Sequence, residues 1–226
     1  MEIFVGAGGW AYLETPKRDK LRAYAELFDF VEVNSTFYFY PRLSTVKSWR
    51  RRVPEDFIFT VKCHRDVTHK HRLMPSMETF RALKQMLIIC RLLRAEVLVL
   101  QTPPDLELTE GTLTAIKQTF QHLGESEVRI AWEARPSMGS QIPLEVYELM
   151  EELDIVPVVD LSRFEAPQRD VVYSRIFGGW DAMGDEELRI IDARARGSSA
   201  RRVYLCFHGA RMYEDALRYI EISETR

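Results

Sequence analysis

The 226 residues contain no G-x-S-x-G elbow, no glycine-rich phosphate loop ending in Lys-Ser/Thr and no H-E-x-x-H helix. The commonest hydrolase, nucleotide and metalloprotease signatures are therefore missing. Cysteine is scarce: Cys63, Cys90 and Cys206 are odd in number, lack C-x-x-C spacing and sit in apolar surroundings. That excludes a disulfide framework and fits reduced core thiols in a cytoplasmic protein. Charge of one sign is also absent. With 31 Lys and Arg against 34 Asp and Glu, the net charge of −3 provides no global attraction to nucleic acid or an anionic membrane. No long apolar run occurs, and the chain opens directly on a strand-like segment, so neither secretion nor membrane spanning is expected. No linker composition interrupts residues 1–226, which are expected to form a single domain.

What is present is the balance of a protein that buries a substantial core: 46% of residues are hydrophobic and 29% charged. Short β-rich runs recur at Ile3–Val5, Phe30–Asn34, Phe57–Lys62, Glu96–Gln101, Arg129–Glu133, Ile155–Asp160, Val171–Ile176 and Arg202–Phe207. Between most of them lie segments of helical period, such as Leu21, Tyr24, Ala25, Leu27 and Phe28, or Leu113, Ile116, Lys117, Phe120 and Leu123. Thr15-Pro16 and Thr109-Glu110 carry helix-start signals. Eight strands alternating with helices predict an α/β fold of the TIM-type (β/α) barrel class, with an open doubly wound sheet as the alternative. The link from Leu161 to Asp170 is short and contains Pro167, so a distortion is expected around strands six to seven.

Residues two apart share a face of a strand, and along one face each run turns from apolar to polar near its C-terminal end. Glu32 and Asn34 end strand two, Lys62 strand three, Gln101 strand four, Glu133 and Arg135 strand five, Asp160 strand six, Arg175 strand seven and His208 strand eight. In barrel enzymes the catalytic groups come from that end, which makes this set a candidate ligand site. Buried ion pairs, such as Glu32 with Lys62 or Glu133 with Arg135, are the structural alternative.

Other motifs carry less. Gly6-Ala7-Gly8-Gly9-Trp10-Ala11 matches a dinucleotide fingerprint in form, but the helix signal follows too late to place a pyrophosphate on a helix start, and a tight glycine turn is the better reading. Gly178-Gly179 after Arg175 and Gly209 after His208 could frame an anion beside Arg175. No cofactor is identified. His69 and His71 stand at H-x-H spacing, and Glu32, Glu133, Asp160 and His208 could supply a divalent metal, though no zinc-type spacing supports either. Arg50-Arg51-Arg52 reads as a solvated helix end. Trp10, Phe37, Tyr38 and Tyr40 fall near the expected mouth, where aromatics stack on ligands.

With these residues in view, the sequence resembles the YecE-like family, barrel proteins of unknown function. The resemblance runs nearly end to end. It rests on Gly6-x-Gly8-Gly9-Trp10 with Tyr12, on Val31-Glu32-Val33-Asn34-Ser35-Thr36-Phe37-Tyr38 with Pro41, and on Trp49. It continues through Pro54-x-x-Phe57-x-Phe59-x-Val61-Lys62, Thr68-His69 with Leu73, Gln101-x-Pro103-Pro104, Glu133-x-Arg135, Asp160 and Tyr173-x-Arg175-x-x-Gly178. The resemblance implies a TIM-type barrel with Glu32, Asn34, Lys62, His69, Gln101, Glu133, Arg135, Asp160 and Arg175 at the family's polar pocket. It implies no reaction. The sequence departs from the family pattern at Phe177, where a histidine is common, and at Phe207-His208-Gly209.

The expected activity is acid–base chemistry on a small anionic substrate. Lys62, Arg135 and Arg175 would hold the anion, and Glu32, Glu133 or Asp160 would move a proton with His69 or His208. Trp10, Asn34, Tyr38 and Gln101 complete the expected binding set. A metal-dependent hydrolase or isomerase of phosphoesters or sugars, and a non-catalytic nucleotide or nucleic-acid binding module, are the competing expectations.

Overall fold

A computed structural model of the chain describes residues 1–124, 127–135 and 141–224. Eight parallel strands follow one another in a closed barrel: β1 (Glu2–Ala7), β2 (Phe30–Val33), β3 (Ile58–Lys62), β4 (Val97–Gln101), β5 (Arg129–Glu133), β6 (Val156–Val159), β7 (Val171–Phe177) and β8 (Arg202–His208). The helices are α1 (Lys20–Ala25), α2 (Leu43–Arg51), α3 (Met77–Leu93), α4 (Glu110–Leu123), α5 (Leu144–Glu152), α6 (Asp185–Arg196) and α7 (Met212–Glu224). All eight expected strands form, and the barrel replaces the doubly wound alternative. The short link between β6 and β7 contains no helix, as its length and Pro167 required. It is tied down instead by Leu161 N–H donating to Ser174 Oγ at 3.1 Å and by Arg194 donating to the Leu161 carbonyl at 2.9 Å.

The chain divides into two compact units. The first comprises Met1–Val33, Arg51–Ile58 and Val158–Arg226. Within it β1 and β7 flank β8 in unbroken register, with Tyr173 beside Tyr204, Arg175 beside Cys206 and Phe177 beside His208. Alternation puts Phe30, Tyr173 and Tyr204 on the same strand faces as Glu32, Arg175 and Cys206, two residues nearer the N-terminal end. These rings stack into an aromatic layer with Phe4: Phe4 on Tyr204 at 5.3 Å, Tyr173 on Tyr204 at 5.6 Å, and Phe30 edge-on to Tyr204 at 5.5 Å. The polar side chains thus stand on a floor of interlocked rings, which contribute burial and fixed geometry together.

On the outer side, Tyr24 of α1 holds β1 to β2, its hydroxyl accepting from Ala7 N–H at 2.6 Å and donating to the Phe30 carbonyl at 2.9 Å. One expectation fails here. Thr15-Pro16 forms only a turn, in which Thr15 Oγ1 accepts from Lys17 N–H, and α1 starts at Lys20 behind Asp19, whose carboxylate caps Arg22 N–H at 3.3 Å. Asp19 also accepts from Arg52 at 3.2 Å, so that arginine is not simply solvated. An aspartate with a second cationic partner is the stronger cap.

The second unit comprises Asn34–Arg50 and Phe59–Pro157. Here β4 pairs with β3 and β5, with Lys62 beside Val99 and Gln101 beside Glu133. Arg50 lies over the Phe59 ring at 5.1 Å. Thr109 caps α4 through Thr112 N–H, as its sequence position predicts, and Ser76 caps α3 through Thr79 N–H.

The contact between β1 and β2 requires glycine. A Cβ on Gly6 would lie 2.1 Å from the Phe30 carbonyl oxygen, backbone against backbone, where no rotamer change gives relief. We expect Gly6→Ala to lower stability by about 3 kcal/mol through overpacking, measured as the urea midpoint. An unchanged midpoint would show that β1 can draw away from β2.

Candidate active site

In the first unit the strand ends build a closed electrostatic cluster. Glu32, at 0% exposure, receives the Arg175 guanidinium at 3.1 Å on Oε1 and the Tyr173 hydroxyl at 3.0 Å on Oε2. The contact to Oε1 is an ion pair without hydrogen-bond alignment, which leaves that oxygen short of a well-directed donor. Arg175 Nε donates to His208 Nε2 at 3.2 Å. A guanidinium can only donate, so Nε2 carries its lone pair and the His208 proton sits on Nδ1. Phe177 closes one face of the histidine, its ring stacked at 5.0 Å and 23°. Arg175, expected to hold an external anion, is turned to Glu32 and His208. The Gly178 N–H beside it donates to the His208 carbonyl at 3.0 Å.

Among the described residues one group of three metal-ligating types gathers: Glu32, Cys206 and His208, with donor atoms within 4.8 Å of one another. The set does not suit a divalent ion as it stands. The guanidinium already occupies both Glu32 Oε1 and His208 Nε2, and burial pushes the Cys206 thiol well up in pKa, which keeps its proton on. Asp160 serves its own turn: Oδ1 accepts from Ser162 N–H at 3.0 Å and from Ser162 Oγ at 2.7 Å. Trp10 lies in the same unit, half-buried on the loop after β1. The three cysteines are all buried thiols.

The second unit holds a different arrangement. Glu133 lies at the end of β5, its carboxylate accepting from Gln101 Nε2 at 2.9 Å on each oxygen and from Arg135 Nε at 2.7 Å. Register neighbours on one strand face thus meet in one network. Lys62 Nζ stands 4.4 Å above the Phe37 ring centroid, and His69 approaches the same ring edge-on at 5.0 Å. His69 Nδ1 is within 2.9 Å of Thr68 Oγ1. Burial, then the Lys62 and Arg135 charges, lower the His69 pKa below the ordinary imidazole value, with Asp105 opposing. Asn34 opens a short 3-10 turn whose Thr36 hydroxyl donates to the Lys62 carbonyl at 2.7 Å, which fixes the end of β3. Tyr38 is 66% exposed with its ring against Phe37 at 5.0 Å.

The structure therefore gathers Glu32, Arg175 and His208 in one cluster and Lys62, His69, Gln101, Glu133 and Arg135 in another. Within the first unit Glu32 has Arg175 as an ion-pair partner, 143 residues away along the chain by subtraction of their numbers. The Glu133 to Arg135 pair forms as drawn. Sequence reasoning missed three members: Tyr173, Cys206 and Phe177. The alternation that singled out Arg175 and His208 marks all three as well, since each lies two residues from one of them on the same face.

Residues 4–225 match the family described as Protein of unknown function DUF72. The chain belongs to the DUF72 family. Among solved structures, a DUF72 family protein from Enterococcus faecalis has a TM-score of 0.77 at 20% identity, covering 99% of this chain and 96% of that one. A DUF72 family protein from Thermotoga maritima has a TM-score of 0.76 at 22% identity, covering 99% and 100%. The 3-keto-D-glucoside 4-epimerase of E. coli has a TM-score of 0.65 at 10% identity, covering 100% of both chains. No curated protein matches the chain. These likenesses confirm the barrel for this DUF72 chain and the family that the E-x-N-x-T-F-Y block suggested. Among the described residues no helix is long and apolar enough to cross a membrane.

The Glu32 to Arg175 pair has a measurable signature. Removing one partner leaves the other charge buried and uncompensated, which typically costs 3–5 kcal/mol, whereas removing both is close to neutral. Arg175→Met should therefore destabilise this DUF72 protein by about 4 kcal/mol, and adding Glu32→Gln should recover most of that loss. Guanidinium melts of the two single variants and the double variant check it, and purely additive losses would show that the pair is not coupled.

Proposed function

We propose that this DUF72 protein is an enzyme that uses acid–base chemistry on a small anionic substrate, phosphorylated or carboxylate, at the C-terminal ends of its strands. The observation that carries the reading is the company His69 keeps. Lys62 and Arg135 supply the positive potential that draws an anion, and after burial they are the next causes that lower the imidazole pKa, which favours its unprotonated form. An unprotonated histidine beside a bound anion is a ready general base. Glu133, with Gln101 on both oxygens and Arg135 on one, is held in a single orientation, which suits a proton carrier or an acceptor of a substrate hydroxyl.

The cluster in the first unit has a supporting role in this reading. Arg175 spends its charge on Glu32, so Lys62 and Arg135 are the cations assigned to the substrate, and Glu32 is assigned to holding Arg175 and Tyr173 rather than to moving a proton. A sugar acid or sugar phosphate satisfies the cations and agrees with the fold-level likeness to a keto-glucoside epimerase. The reading requires no metal.

The test begins with sugar phosphates and hydroxy acids screened by thermal shift, followed by turnover of whichever compounds stabilise the protein. His69→Asn should lower kcat by roughly 10²- to 10⁴-fold, the usual worth of a positioned general base, while Arg135→Met should act mainly on KM. The acid limb of kcat/KM should lie below pH ~6.5, the value of a free imidazole, and should move to higher pH in Arg135→Met, because removing a cation relieves the depression. Full turnover by His69→Asn on an identified substrate would end the proposal.

A further inference from the structure

The segment that presents His69 is built against local preference. Asp66–Lys70 is a π-helical turn, a rare geometry that tends to occur at functional positions. Two consecutive residues after it, Arg72 at φ 53° and Leu73 at φ 60°, adopt the left-handed conformation, where a side chain crowds the following carbonyl and glycine is usual. Such backbone persists only where surrounding contacts over-determine it.

Those contacts are identifiable at both ends. At the C-terminal end Leu73 is fully buried, its N–H donates to the Val67 carbonyl at 2.9 Å, and its carbonyl accepts from Thr119 Oγ1 at 2.6 Å. At the N-terminal end Arg65 supplies no side-chain cap. The cap comes instead from His64, which is 5% exposed: its ring Nδ1 accepts from Asp66 N–H at 3.1 Å, and its carbonyl accepts from Val67 N–H at 3.0 Å. The accepting Nδ1 places the ring proton on Nε2. Tyr40 stacks on its face at 3.9 Å and 17°. One nitrogen and one face of His64 are thus committed to holding this turn.

We propose that His64 is a positioning residue, whose imidazole caps the π-turn at Asp66 and thereby fixes the orientation in which His69 meets Phe37 and Lys62. The inference rests on the acid–base reading only for what His69 then does; the positioning itself is a statement about geometry. The charges that face His69 are Lys62, Arg135, Arg65 and Asp105, and the turn sets its distance from all of them.

Two near-isosteric amides separate capping from packing. Asn places its side-chain oxygen where histidine has Nδ1, whereas Gln places its oxygen where histidine has Nε2. In full-length protein, the titration of His69 followed by imidazole NMR should remain as in wild type for His64→Asn. It should move upward, toward that of a free imidazole, for His64→Gln, with faster hydrogen exchange at Asp66 N–H. Thr119→Val, which releases the other end of the segment, should move the His69 titration in the same direction. A wild-type His69 titration in folded His64→Gln overturns the proposal, and so does one in Thr119→Val if His64→Gln fails to fold. Because NMR reads no turnover, a catalytically silent His69→Asn would sink the acid–base reading while leaving this inference standing.

Discussion

A carboxylate with no access to water must be neutralised where it stands, and Glu32 sets this condition for the first unit of the barrel. Its charge partner within the first unit is Arg175, at 3.1 Å, and the guanidinium in turn needs acceptors for its remaining donors. One of them goes to His208 Nε2, and this dictates the histidine tautomer. Tyr173 takes the other Glu32 oxygen, and its ring is pinned by Tyr204 in the layer beneath. The orientation of each polar group is therefore inherited from the one before it, and the first from a single buried charge. The neighbouring backbone is equally constrained: Gly209, at φ 113°, has no room for a side chain, since a Cβ would lie 2.8 Å from the Gly178 carbonyl oxygen.

The two polar clusters differ in what they leave available. In the first, Glu32 and Arg175 are 0% and 3% exposed at the side chain, a closed account in which each charge is answered inside the protein. In the second, Arg135 is 41% exposed while Glu133 is 13% exposed, so a cation faces outward beside an oriented carboxylate. A site for an external anion needs that asymmetry, because an ion must be able to reach the cation without displacing a buried partner. This is the physical ground for assigning the chemistry to His69, Lys62, Glu133 and Arg135, and for treating Glu32 and Arg175 as support.

Much of this was legible in the sequence, for definite reasons. Strand positions followed from apolar runs, and the polar strand ends followed from period two, a rule that holds whatever surrounds the strand. Glu133 with Arg135 could be paired because both residues lie on one strand face. Pairing Glu32 with Arg175 was beyond the reach of the sequence, because the two lie on strands far apart in the chain and no local pattern ranks such partners. The start of α1 was misplaced for a related reason. Thr15-Pro16 has the right residue types for a helix start, but Asp19 carries a charge that Arg52 stabilises, and Arg52 is 33 residues away. Signals that depend on one element survive from sequence to structure, and signals that depend on distant partners do not.

His64 lies beyond even that limit. Nothing in Cys63-His64-Arg65-Asp66 announces a cap, since the residue types favoured for capping are Ser, Thr, Asp and Asn. The imidazole can take this role because the backbone has already left the α-helical path: a π-turn widens the loop and sets Asp66 N–H against a ring two residues earlier. An Asp or Ser at position 64 would be a more ordinary cap, but its short side chain would not also stack with Tyr40. The bulky ring therefore couples the turn that carries His69 to the segment that follows Phe37. Since Phe37 is the surface on which Lys62 and His69 both rest, one imidazole sets the placement of a second through backbone alone.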